Sequence, residues 1–318
     1  MSQSIIDEDE VSEIESTDDT SHNQIYDDMI RQTENFNLND SKDDISVFIE
    51  FTGGYTFRQL VEFNKKSVMS MPIFCNSSKI YTYRGNGKRT LVTYTLAEKK
   101  NLTKYIFNEK NINFPNEKYH IISLKLDDFY SQIKSLGKKE GLRIYQIKSK
   151  PELAWIQFFG GKTENGWIQV RAEKYEPNIY NLDEKNARDT NNPNVTIPLS
   201  SFCTVITQIA RLKYPNVILR SYDQGAEIIS SNETGTTVKR TPWGDVSPIF
   251  NETNKLKPTN CFDINIGLTE LTALSKLSNF HNEGIVRLYC SNDNIVRLEV
   301  PLGCYATTFI YLIVPDKL

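Results

Sequence analysis

Apolar and polar residues alternate through Ser46–Phe51 (SVFIEF), change to a helical spacing at Phe57, Leu60 and Val61, and return to alternation near Met71–Cys75, Lys79–Arg84 and Thr90–Thr95. Period two puts successive side chains on opposite faces of a strand, and period 3.6 puts them on one face of a helix. The pattern therefore predicts a strand, a short helix over Tyr55–Lys65, and three further strands, the last two joined by a Gly85-Asn86-Gly87 turn. The same order recurs three times. The second module predicts strand Ile121–Leu126 and a helix with Asp127 as N-cap, Phe129, Ile133 and Leu136 inward and Gly137 as its stop. Its closing strands are near Leu142–Lys148, Leu153–Phe158 and Trp167–Arg171. The third predicts Val195–Ile197, a helix over Ser200–Leu212 burying Phe202, Val205, Ile206 and Ile209, and strands near Val217–Ser221, Glu227–Ser230 and Thr236–Arg240. After an irregular insertion (residues 241–258), the fourth predicts Cys261–Ile266, a helix over Leu268–Leu277, and strands near Ile285–Cys290, Ile295–Val300 and Tyr305–Val314.

Two of these stretches repeat each other. ISLKLDDFYSQIKSLGKKEGLRIYQ (Ile122–Gln146) and INIGLTELTALSKLSNFHNEGIVRLYC (Ile264–Cys290) each contain a strand, an amphipathic helix, a polar turn ending in Glu-Gly, and a β-branched strand ending near a tyrosine. A repeat at that distance implies a duplicated domain rather than a solenoid. The fold class expected is α+β: two similar domains of antiparallel sheets with two short helices each. Residues 46–172 and 195–318 are the expected domains. Residues 173–194, polar and interrupted by Pro177 and Pro193, are the linker between them.

Charge divides the chain unevenly. Residues 1–45 hold 14 acidic side chains against Arg31 and Lys42, a net of −12; the remainder holds 26 acids against 35 bases, a net of +9. The first 45 residues have too few apolar groups to bury and are expected to form a disordered acidic tail. The body is basic and suits a polyanionic partner. A tethered acidic segment could also compete with that partner. No run approaches the roughly 18 apolar residues of a membrane span, and the acidic start lacks a signal-peptide pattern. A soluble intracellular protein with no membrane partner is expected. Five scattered cysteines give neither a disulfide framework nor a zinc spacing, and His22, His120 and His281 have no metal-ligand partners at the right interval. There is no P-loop and no nucleophile elbow. No cofactor, metal or catalytic residue is expected. Trp155 and Trp167 lie in strands and are read as core.

Three segments in order carry a family resemblance: TGGYTFRQLVEF (Thr52–Phe63), LKLDDFYSQIKSLGKKEGLRIY (Leu124–Tyr145), and the stretch from Leu277 to Leu318 with its tyrosine–aliphatic–proline ending at Tyr311–Pro315. Over residues 46–318 the layout resembles the sliding clamps called proliferating cell nuclear antigen, and the Asn-, Ile- and Lys-rich composition is more similar to a clamp of a large DNA virus, acting in the host nucleus or a cytoplasmic viral factory. The resemblance implies a homotrimeric ring with helices lining a hole that double-stranded DNA threads. The ring would be opened by a clamp loader and would tether a DNA polymerase and other replication or repair proteins carrying clamp-binding motifs. It implies that the inward cations are Arg58 and Lys65, Lys134, Lys138 and Lys139, Arg211 and Lys213, and Lys276. Arg58 and Lys65 are seven residues apart and share a helix face. Thr204 and Thr207 stand where basic residues are common, so charge is thinner on the third helix. The resemblance also implies a partner-motif pocket from Leu91, Ile295, Leu312, Ile313, Val314 and Pro315, with Ile179 and Leu182 on the linker. Edge strands near Trp167–Arg171 and Thr236–Arg240 are the expected joints between subunits. The alternatives are a monomeric processivity or viral late-transcription factor binding DNA on an open face, a clamp-like scaffold without DNA binding, and an enzyme.

Overall fold

The computed structural model describes residues 44–65, 68–85, 90–161, 166–175, 192–246, 262–281, 283–291 and 295–313. The expected tail, most of the linker and most of the 241–258 insertion lie outside them.

The N-terminal half runs β1 (Ile45–Phe51), α1 (Gly54–Lys65), β2 (Ser70–Cys75), β3 (Lys79–Gly85), β4 (Leu91–Glu98), β5 (Lys104–Phe107), β6 (His120–Lys125), α2 (Leu126–Ile133), β7 (Gly141–Ile147), β8 (Leu153–Phe159) and β9 (Ile168–Glu173). The C-terminal half repeats the order, without a counterpart of β5. It has β10 (Val195–Pro198), α3 (Leu199–Leu212), β11 (Asn216–Tyr222), β12 (Gln224–Ser231), β13 (Thr237–Asp245), β14 (Phe262–Asn265), α4 (Leu268–Leu274), β15 (Ile285–Ser291), β16 (Ile295–Leu302) and β17 (Ala306–Ile313). A 3₁₀ turn, Ser275–Asn279, continues α4. All pairing is antiparallel. One sheet has the order β10-β15-β16-β17-β4-β3-β2-β6-β9-β8-β7-β1-β5, and the other β13-β12-β11-β14.

The helices cover one face of these sheets. Val47, Ile49 and Phe51 of β1, Leu142 and Ile144 of β7, and Phe57, Leu60 and Val61 of α1 enter a core that continues into the C-terminal half through Phe202, Leu288 and Leu298. The opposite face of the β1-β7-β8 region is also apolar. There Tyr145 stacks on Trp155 at 5.1 Å between ring centroids and meets Trp167 edge-on at 4.6 Å, with Phe48 and Ile147 beside them. That second cluster explains why β1 is almost continuously apolar: both of its faces are covered.

Several expectations need revising. Asp127 does not cap α2: the helix begins at Leu126, Lys125 holds the extended cap position, and the Leu126 amide is tied to the Met69 carbonyl. Asp127 and Asp128 sit in the first turn, where a carboxylate complements the helix dipole. Gly137 is not the helix stop either. The helix ends at Ile133, and the Gly137 amide donates to the Glu140 carboxylate at 2.5 Å. β13 extends to Asp245, into the expected irregular insertion. β9 is not a simple edge, being paired with β8 from Leu153–Arg171 to Ile156–Ile168 and with β6 at Ser123–Glu173 and Leu124–Ala172. The remaining length of β9 on the β6 side, Ile168–Arg171, has no paired strand among the described residues. Val205 is only half-buried.

Candidate nucleic-acid interface and outer groove

The two halves meet through three layers. In the sheet, β17 pairs with β4 from Thr307–Leu96 to Leu312–Leu91. Below it, Phe63 of α1 packs edge-on against Phe280 at 5.5 Å, and Tyr305 stacks on Phe51 at 5.4 Å while its hydroxyl donates to the Gly53 carbonyl at 3.2 Å. Gly53 must be small, because a Cβ there would come within 2.5 Å of the Tyr305 ring. On the helix layer, Lys276 Nζ lies 3.0 Å from Glu62 Oε1.

α1 is the middle of that layer, with α2 on one side and the 3₁₀ turn after α4 on the other. Its solvent side carries Tyr55, Arg58, Glu62 and Lys65, all only half-exposed. α2 runs antiparallel to it, which follows from two contacts. Arg58, near the start of α1, donates from Nη1 to the carbonyls of Lys134 (2.7 Å) and Leu136 (2.9 Å) beyond the end of α2. Lys65, at the end of α1, lies 3.0 Å from Asp127 at the start of α2. The Arg58 guanidinium also rests 4.4 Å from the Tyr55 ring centroid, and the Lys65 ammonium 4.7 Å from that of Tyr130. The Tyr130 hydroxyl donates to Glu62 at 3.3 Å. Burial acts to raise the Glu62 carboxyl, but Lys276 and Tyr130 outweigh it and hold it below the usual carboxylate value. A third ion pair, Lys125–Asp128, spans 3.2 Å at the start of α2.

The eight expected cations thus fall into two groups. Arg58, Lys65 and Lys276 are engaged within the layer. Lys134, Lys138, Lys139, Arg211 and Lys213 are exposed, and among the described residues none has a carboxylate within ion-pairing distance. Lys213 holds a left-handed conformation (φ 51°) as the C-cap of α3, its amide bonded to the Ile209 carbonyl. Apart from Arg211 and the apolar Leu212, the exposed positions of α3 are Ser200, Ser201, Thr204 and Gln208, all uncharged, and Gln208 accepts from Lys239 of β13 at 2.9 Å.

On the other face, Ile295 and Ile313 belong to an apolar cluster with Val92, Tyr94 and Tyr311, flanked by Tyr81, Tyr83, Leu96 and Phe309. Leu91 and Leu312, expected in the same pocket, point the opposite way into the main core. Ile179, Leu182, Val314 and Pro315 lie outside the described residues. An aromatic band continues the cluster across the sheet. Phe309 lies 6.1 Å from Tyr94, Tyr94 5.4 Å from Tyr81, and Tyr81 stacks on Phe74 at 4.7 Å. Tyr175, where the chain leaves β9 for the linker, packs on Phe74 at 5.3 Å and Phe114 at 6.2 Å. Val92, Tyr94 and Leu96, like Phe309, Tyr311 and Ile313, are spaced by two. That spacing was the sequence signal for an outward apolar face.

This arrangement of sheets with helices along one face superposes on known structures. The crystal structure of proliferating cellular nuclear antigen from Entamoeba histolytica superposes with a TM-score of 0.61 at 12% identity, over 85% of this chain and 98% of that one. A PCNA2–PCNA3 complex from Sulfolobus tokodaii gives a TM-score of 0.63 at 11% identity, over 84% of this chain and 98% of that one. No protein-family model and no curated protein matches the sequence. The protein has the clamp fold of proliferating cell nuclear antigen.

Proposed function

We propose that the protein is a DNA sliding clamp, a scaffold without an active site. Subunits would join head to tail into a ring around duplex DNA and tether a DNA polymerase and other motif-bearing partners. The observation that carries this is the β4–β17 pairing. In the repeat, β13 is the counterpart of β4 and β9 the counterpart of β17. The pairing that joins the halves therefore has a second, equivalent copy that one chain cannot make with itself. Among the described residues the only strand paired with β13 is β12, and β9 has open backbone along Ile168–Arg171. A β13 edge meeting the β9 edge of the next chain is a heterologous contact, which closes into a ring when the rotation allows. Three such chains would present six repeats. Threaded DNA is retained by topology, so a few phosphate contacts suffice and no base sequence is read. The outer apolar cluster at the β4–β17 junction is the docking groove for aromatic anchors of partner motifs, with Ile179, Leu182, Val314 and Pro315 as its proposed cover.

One observation favours the open-face alternative. β13 carries Pro242, and a proline on an exposed edge removes a donor from any strand that would pair there. Light scattering at micromolar protein decides between them. A mass about three times the 36.6 kDa subunit supports the ring, and a mass of one subunit supports a monomeric factor that binds DNA on one face.

A further inference from the structure

The helix layer, which would line the hole, supplies most of its own counter-charge. Lys65 is balanced by Asp127 at 3.0 Å and Lys276 by Glu62 at 3.0 Å, and both Nη1 bonds of Arg58 go to backbone carbonyls past the end of α2. A phosphate approaching these cations would have to sit beside two carboxylates. It would gain little Coulomb energy and release few counterions, because a lysine already neutralised by a carboxylate displaces little of the cation atmosphere condensed on the DNA. The exposed positive charge lies elsewhere: at Lys134, Lys138 and Lys139 beyond the C-terminus of α2, and at Arg211 and Lys213 at the C-terminus of α3. The C-terminus of α2 lies beside the start of α1, and α3 is the counterpart of α1, so the two clusters occupy opposite ends of equivalent helices. Ahead of Arg211 the exposed side chains of α3 itself are uncharged, with Lys239 of β13 bonded to Gln208 there.

We propose that duplex DNA is held at these two helix-end clusters, and that Arg58, Lys65 and Lys276 are positioning residues. They would fix α2 and the C-terminal half against α1, while Glu62 and Asp127 act as built-in competitors of phosphate. This rests on the clamp reading and adds to it which cations touch DNA. The layer would then present a weakly charged wall with a strongly charged ring near each mouth. Such a wall lets a duplex pass without a deep electrostatic minimum at its centre.

The test is the salt dependence of binding to a 30-base-pair duplex, measured by fluorescence anisotropy between 50 and 200 mM NaCl on the full chain. Thermal unfolding of each variant is recorded alongside. Replacing Lys134, Lys138 and Lys139 together by Gln should flatten the slope of log K against log salt by about 2.7, roughly a 40-fold smaller loss of affinity over that range, at about 0.9 per phosphate contact. Lys65→Gln and Lys276→Gln should leave the slope unchanged, and Lys276→Gln should lower the melting temperature through the lost tie to Glu62. Glu62→Gln and Asp127→Asn should tighten binding. A drop of about 0.9 in the slope for Lys65→Gln or Lys276→Gln, with the triple variant unaltered, overturns the assignment while leaving the clamp intact. A wild-type chain that shows no salt-dependent binding sinks the clamp reading and the assignment together.

Discussion

Acidification to pH 5 should destabilise the fold by about 2 kcal/mol through one side chain, His120. The imidazole is 2% exposed on β6, and its Nε2–H donates to Gln146 Oε1 at 2.6 Å. The Gln146 amide is itself held by donation to the Pro151 carbonyl at 2.7 Å, so the tautomer is fixed. Nδ1 is buried without a partner, and a proton placed there would have no acceptor. Burial pushes the pKa down to about 4, against the smaller upward pull of Gln146. The unfolded chain takes up its proton near 6.5 and the native state only near 4, so the unfolded state binds more protons between those values. Stability is therefore complete above pH 6.5 and declines as pH falls toward 4. Linkage between these values gives a loss of about 2 kcal/mol at pH 5 relative to pH 7.5, and about 3 kcal/mol at pH 4. Urea unfolding at fixed protein concentration at pH 7.5 and 5 measures it, with His120→Gln as reference, since glutamine can keep the donation to Gln146 and cannot titrate. An equal pH dependence in the wild type and His120→Gln would refute the reasoning.

Other expected outcomes follow from the seams. Phe280→Ala should destabilise by about 3–5 kcal/mol, because a side chain 1% exposed is lost from between the two halves; denaturant unfolding measures it. Tyr305→Phe keeps the stack on Phe51 and removes only the bond to the Gly53 carbonyl, and should lose about 1 kcal/mol by the same assay. Lys213→Gly should raise the melting temperature, since glycine relieves a left-handed position by up to about 1 kcal/mol, while weakening retention of DNA. A gain in stability with unaltered retention would remove Lys213 from the interface. Reversing charge at the free edge with Arg240→Glu should shift the light-scattering mass toward one subunit without changing far-UV circular dichroism.

Period two and period 3.6 made most of the elements legible, and the repeat between Ile122–Gln146 and Ile264–Cys290 made the two-domain α+β architecture legible too. Three features were missed or misread. β5, with Lys104 and Ile106 exposed, is too short and mixed to show a period, and only its pairing with β1 makes it a strand. Asp127 looked like a cap because capping residues and first-turn acids draw on the same side chains. Leu91 and Leu312 were assigned to the pocket by the family resemblance alone, and they face the main core. Val92 and Tyr311, one position away, face the outer cluster instead. The cations are a different matter. Helical spacing correctly puts Arg58 and Lys65 on one face, but whether a lysine is free depends on carboxylates and carbonyls brought alongside by other elements. Glu62 and Lys276 are 214 residues apart, and nothing local in the sequence pairs them.

The three-layered junction bears on how a ring of such subunits would open. Bending one chain at the β4–β17 seam would have to separate Tyr94 from Phe309 on the outside, the strand ladder in the middle, and Phe63–Phe280 with Glu62–Lys276 on the inside. Aromatic pairs, backbone bonds and a half-buried ion pair would each resist a different motion of that seam. The equivalent joint between chains would begin with less. Pro242 withholds a donor, and Arg240 and Pro242 are exposed on the free edge of β13. In the proposed assembly the weak points are therefore the joints between subunits, and a loader needs to separate a single strand pair rather than deform a subunit. Thickening that edge should slow opening: Pro242→Val restores a strand-forming residue and a backbone donor. If the joint uses β13, the variant's oligomer should dissociate more slowly on dilution, read as mass against time. Faster dissociation, or none of the effect in a trimer that plainly forms, would place the joint elsewhere.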